Sequence, residues 1–97
     1  MYTRVFTAIV HPGKLDELTR GVREVVLTAA RQQAGFKNAI LLTDAANNKA
    51  IYLSFWETEA DLRASETSGY VREQLAKVLP ILTAPPVQEI YEVAVQE

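Results

Sequence analysis

Four aromatic side chains are placed where they could grip a ligand: Phe6, Tyr52, Trp56 and Tyr70. Trp56 closes an apolar strand-like run just before Thr58, which is suited to cap a helix. Tyr52 shares its strand face, because residues four apart on a strand point the same way. Tyr70 follows a Ser68-Gly69 break between helical segments, and Phe6 lies in the first apolar run. Gathered together, these rings would line a cavity between sheet and helices, with tyrosine hydroxyls to orient what enters. The same rings could equally form a packed core with hydroxyls at its rim.

Other chemistry finds less support. His11, the single histidine, precedes Pro12-Gly13 in a turn and should face solvent. One histidine and no cysteine cannot build a thiolate or multi-histidine metal site within a chain, so no metal is expected. Asp16, Glu17, Glu57, Glu59, Asp61, Glu66 and Glu73 fall on polar helical faces or caps, and Asp44 belongs to a hairpin. None is an isolated carboxylate in an apolar strand, the setting that raises a pKa for general-base work. Ser65 and Ser68 have no histidine near them in sequence and make poor nucleophiles. There is no glycine-rich phosphate loop.

The elements that must position these residues follow from periodicity. Tyr2–Val10 reads as a strand stopped by His11-Pro12-Gly13. From Lys14 the period changes: Leu15, Leu18, Val22, Val25, Val26 and Ala29 form one helical stripe, predicted to end near Gln32 or Gln33 with Gly35 as its cap. Residues 36–44 and 50–56 form a hairpin joined by Ala45–Lys49. Thr58 starts a short helix over 59–66, Ser68 restarts it, and a second segment runs to about Leu79 with Val71, Leu75, Val78, Leu79 and Leu82 as its apolar face. Pro80, Pro85 and Pro86 prevent continuation, and residues 87–95 form the last strand. The order βαββαβ predicts an α+β, ferredoxin-like fold: one four-stranded antiparallel sheet with helices on one face, in a single domain over residues 1–97.

The strands are apolar on both faces. Ile51, Leu53 and Phe55 oppose Tyr52, Ser54 and Trp56; Val5 and Ile9 oppose Tyr2, Phe6 and Val10; Phe36, Ile40 and Leu42 oppose Ala39 and Leu41; Val87, Tyr91, Val93 and Val95 oppose Ile90 and Ala94. Two helical segments cover one face only, and the other would expose more apolar surface than a monomer usually tolerates. A homodimer is the simplest cover. The chain is 48% hydrophobic and 23% charged, which fits a globular domain rather than a disordered one. Net charge is −2, and the ten basic residues, Arg4 among them, are scattered as on a solvated surface. No nucleic-acid partner is expected, and no run approaches the ~18 apolar residues of a membrane span. The N-terminus lacks the basic and apolar regions of a signal peptide, so the expected location is the cytoplasm.

Pro12-Gly13-Lys14 after strand one, Arg31-Gln32-Gln33-Ala34-Gly35-Phe36 entering strand two, and Trp56-Glu57 before a capped helix give the chain a resemblance. It resembles the antibiotic biosynthesis monooxygenase domain over nearly its whole length. The resemblance implies a dimeric α+β barrel in which two sheets pack together. It also implies, for some members, oxidation of polycyclic aromatic or quinol substrates by molecular oxygen with no metal or flavin, the substrate supplying the electrons. Trp56 carries over directly, with Phe6, Tyr52 and Tyr70 lining the implied pocket. Ser65, a further substrate-binding position of that implied pocket, stands where members often carry a histidine, and this departure touches proton transfer. Haem-degrading members use an Asn, Trp and His set; the matching positions near Phe6, Ser65 and Leu75 keep none of these types, which argues against haem. Three readings follow: a cofactor-independent monooxygenase for a small phenolic or quinol compound, a non-catalytic ligand-binding or stress-related dimer, and an isomerase or lyase on the same barrel.

Overall fold

The computed structural model describes residues 1–97. β1 (Tyr2–Ile9) leads into one continuous helical rod made of α1 (Leu15–Gly21), a π-helical stretch (Val22–Val26) and α2 (Leu27–Ala30). β2 (Phe36–Asp44) and β3 (Lys49–Trp56) follow, joined by a 3-10 turn (Ala45–Asn47) that ends on left-handed Asn48. Then come α3 (Glu59–Thr67), α4 (Tyr70–Val78) and β4 (Val87–Glu92). The sheet order is β2-β3-β1-β4, all antiparallel, which is the predicted ferredoxin-like topology. No helix is long and apolar enough to cross a membrane.

The helices cover the face carrying the even positions of β1 and β3. Val10, Ala50 and Leu82 meet Leu18, Val22 and Val26 there to form the buried core. The buried residues of the first rod are Leu18, Val22, Val26 and Ala30, spaced by four, whereas the predicted stripe included Val25 and Ala29. The wider π turn slows the rotation of the rod, so a four-residue step keeps returning to the sheet and leaves Val25 outside. The rod ends at Ala30, earlier than expected, because residues 31–35 unwind into turns that finish at Gly35 (φ 79°).

Two further differences have local causes. A bulge between Phe36 and Asn38 puts Phe36 opposite Trp56, on the helix-covered face, and not with Ile40 and Leu42 as strict alternation predicts. β4 stops at Glu92 because its partner stops: Tyr2 pairs with Glu92, and one last bond joins the Val93 amide to the Met1 carbonyl. Thr58 caps α3 as predicted, accepting from the Asp61 amide at 3.1 Å. At α4, left-handed Gly69 is the capping residue, while the Ser68 hydroxyl accepts from the Tyr70 amide at 3.4 Å.

The opposite sheet face has no covering element within the chain. Register puts Val5, Ile9, Ile40, Leu42, Ile51, Leu53, Phe55, Val87 and Tyr91 on it. Five of these, Ile9, Ile40, Leu42, Val87 and Tyr91, are among the exposed large hydrophobics. Only 14 of 97 residues are buried, a small core for a chain half of whose residues are apolar.

Candidate functional site

Between the sheet and the helices lies a cavity of about 80 Å³. Its floor is Phe6, Ala8, Leu41, Ala50, Tyr52 and Ser54; Leu18, Val22 and Val26 wall it on the rod side, and Tyr70, Val71, Gln74, Leu75 and Val78 from α4. The π stretch therefore supplies two wall residues, a common place for this irregularity. Thirteen of the 17 lining residues are hydrophobic, and none is a histidine or a carboxylate. An engineered dry cavity of about 150 Å³ lined by Leu, Ile and Phe holds benzene. This cavity is smaller, so a ring-sized ligand needs some yielding of its walls. Tyr70 and Gln74, one turn apart on α4, also border a polar surface depression with Gln32, Gln33, Ser68 and Glu73. They are the partition between the cavity and solvent.

Three of the five site residues expected from sequence, Phe6, Tyr52 and Tyr70, line this cavity. Trp56 and Ser65 do not. Trp56 is wholly buried behind it, edge-on to Phe36 (5.7 Å) and Tyr70 (6.5 Å), with its indole N–H donating to Ser54 Oγ at 3.0 Å. Ser65 is buried in α3 and donates to the Leu62 carbonyl at 2.6 Å.

Arg4 links these two layers. It is not one of the solvated basic residues: it is only 2% exposed. It stands on β1 opposite Ser54, on the covered face. Its Nη2 donates to the Leu62 carbonyl (2.9 Å) and to Ser65 Oγ (2.7 Å), and Glu66 Oε1 lies 3.6 Å away, an ion pair too long for a hydrogen bond. The guanidinium sits 5.5 Å from the centre of the Trp56 ring. Burial lowers its pKa and Glu66 opposes the shift; a guanidinium remains charged regardless. Strand parity contained the signal, since Arg4 falls between Tyr2 and Phe6 on the inward face. Gln74, the buried residue of α4, carries a similar signal: it lies three residues after Val71 and four before Val78, within the predicted apolar face.

The tyrosine hydroxyls are tuned by the same enclosure. Burial pushes the Tyr52 hydroxyl well above the ordinary phenol range, Tyr70 adds to the shift, and Arg4 opposes it. Burial likewise raises Tyr70 against the pull of Arg4. Both are neutral hydrogen-bonding groups at physiological pH. The cavity thus offers an apolar slot, one cation and two neutral phenols, with no general base facing it.

The antibiotic biosynthesis monooxygenase family model matches residues 1–77. Solved structures share the fold. A Bordetella bronchiseptica protein provisionally assigned as an antibiotic biosynthesis monooxygenase superposes with a TM-score of 0.81 at 17% identity, covering 97% of each chain. The monooxygenase ActVA-Orf6 of Streptomyces coelicolor, solved with nanaomycin D bound, gives 0.74 at 24% identity, covering 99% of this chain and 91% of that one. SnoaB of Streptomyces nogalater, a cofactor-independent oxygenase, gives 0.75 at 13% identity, covering 98% of this chain and 94% of that one. No curated protein matches in sequence. The chain belongs to the antibiotic biosynthesis monooxygenase family.

Proposed function

We propose that this chain is a cofactor-independent monooxygenase for a small phenolic or quinol compound bound in the cavity between sheet and helices. The observation that carries this reading is the cavity's composition: an apolar slot bordered by Arg4, Tyr52 and Tyr70, in a chain of this family. Such a reaction balances without a cofactor. A phenol with a free ring position gives its electrons to oxygen; one oxygen atom becomes the new carbonyl of a quinone, and the other leaves as water with the two lost hydrogens. The protein's part is to orient the ring, exclude water and keep a fixed positive charge beside the bound substrate. Phe6 and Tyr70 would flank the ring, Tyr52 would orient the substrate by a hydrogen bond, and Trp56 and Ser65 would act from behind by fixing Arg4.

The reading includes a homodimer closed over the open sheet face. The exposed Ile9, Ile40, Leu42, Val87 and Tyr91 support it, because they share one face and adjoin Leu53 and Phe55. It also treats residues 1–97 as one domain: β4 lies beyond the matched residues, yet pairs with β1 from Thr7 to Tyr2.

Oxygen uptake with a panel of naphthols and quinols tests the proposal. Uptake above the uncatalysed rate, slowed by Phe6→Trp, is expected; a rate equal to that without protein refutes it. One observation favours a second reading, a non-catalytic ligand-binding dimer: no histidine or carboxylate lines the cavity to take the phenol's proton. Recovery of a bound phenol unchanged after aeration would decide for it.

A further inference from the structure

Three buried side-chain polar atoms have no hydrogen-bond partner in the protein: Arg4 Nε, Tyr52 Oη and Gln74 Oε1. All three residues line the one cavity. Folded proteins leave few such atoms, because each has given up its hydrogen bonds to water without replacement. Their concentration around one space calls for a common explanation.

Their chemistry is directional. Arg4 is opposite Ser54 and Tyr52 is opposite Phe6, so the two are diagonal neighbours on the same face of adjacent strands. The charge of Arg4 already has a counter-charge in Glu66, and its Nη2 already has Leu62 and Ser65. Among its buried atoms, the one left unanswered is Nε. Beside it the neutral Tyr52 hydroxyl is a second donor. Two donors from one side suit an uncharged oxygen that accepts twice, and a carbonyl does so without having a proton of its own to place. From α4, Gln74 presents an acceptor, which suits a hydroxyl. The remaining wall is almost wholly apolar.

We infer that the cavity selects a small hydroxy-carbonyl compound, its carbonyl oxygen held by Arg4 Nε–H and Tyr52 O–H and its hydroxyl donated to Gln74. This makes Arg4 and Gln74 specificity-determining residues. It rests on the reading of this cavity as a ligand site, and narrows the substrate from phenols in general to phenols that also carry a carbonyl group. Each polar group then has a role: the donors fix which end enters, and Gln74, in the partition, closes behind the ligand.

The test is calorimetric binding, without oxygen, of para-hydroxyacetophenone and para-ethylphenol, which share ring, hydroxyl and chain length and differ in the carbonyl. The wild type should bind the ketone about tenfold more tightly or better, the worth of one good hydrogen bond to a buried site. Tyr52→Phe should shrink that preference to about threefold or less. Its hydroxyl bonds nothing in the fold, so this variant should melt no lower than the wild type. Equal affinities in the wild type, no binding of either probe, or an undiminished preference in Tyr52→Phe each overturn the inference, the second meaning that water holds these three groups. Failure here is separable from failure of the monooxygenase reading. A ketone preference without turnover of any phenol removes only the enzyme, and turnover with equal affinities removes only the carbonyl site.

Discussion

Arg4 and Glu66 form a pair whose two ends should respond unequally to mutation. The energetics come from what each end leaves behind. Replacing Arg4 with methionine removes a guanidinium that is 2% exposed, and so removes its desolvation penalty, which is several kcal/mol even after relaxation. It also removes two charge-assisted hydrogen bonds, about 1.5–3 kcal/mol each. No partner is stranded: the Leu62 carbonyl still accepts from Ser65 Oγ, and Glu66 keeps Gln88 at 3.0 Å and Arg63 at 3.9 Å. Methionine fills much of the vacated length and its sulfur can lie against Trp56. The opposing terms nearly cancel, so Arg4→Met should change stability by less than about 2 kcal/mol. Glu66→Gln instead leaves a buried cation without its counter-charge. Breaking a fully buried pair this way costs about 3–5 kcal/mol; with Glu66 30% exposed, solvent screening reduces this to about 1–3 kcal/mol. Urea denaturation at one fixed protein concentration measures both changes through the midpoint at constant slope. The expected order is Glu66→Gln less stable than Arg4→Met, with ligand binding lost only in the latter. A larger loss in Arg4→Met would refute the reasoning, because Arg4 would then be a structural anchor rather than a cation kept for a ligand.

The tyrosines predict the alkaline limit. Tyr52 and Tyr70 are raised by burial, so the folded state holds their protons more tightly than the unfolded chain does. Their contribution to stability is complete below the ordinary phenol value of 10.0 and is lost as pH rises above it toward the folded-state values. Near-ultraviolet signals should therefore collapse as these two ionise, and Tyr52→Phe should move base unfolding to higher pH; their ionisation at the ordinary value in a still-folded protein would contradict this. Gly35→Ala should destabilise by more than about 1 kcal/mol in thermal melts, since φ is positive and a new Cβ would strike the Asp61 side chain. Ile40→Glu places a charge on the open face where the single chain tolerates it; light scattering should show the wild type as two chains and the variant as one. A wild type that scatters as one chain would remove the dimer.

Much of this was legible before any coordinates. Turn residues, a 3.6-residue period and four β-rich runs determine the topology, because each element bears its own local signal. Sheet parity correctly separated Tyr52, Ser54 and Trp56 from Ile51, Leu53 and Phe55. Pattern and structure part where geometry departs from the ideal period: the bulge that turns Phe36 inward and the π turn that releases Val25. The site was only partly legible. Aromatic residues at strand positions advertise a pocket, but a lone arginine in a strand looks like surface unless its parity is taken as seriously as that of its neighbours. Gln74 stands at helical spacing from Val71 and Val78, so its position points inward while its polar type alone suggests solvent.

The most direct test of the central claim is isotopic. Chelator-treated protein turning over an oxidisable phenol under labelled molecular oxygen should give a quinone carrying one labelled atom, with the label absent when only the water is labelled under short sampling times. A product whose new oxygen comes from water, or a phenol recovered unoxidised, would contradict the account.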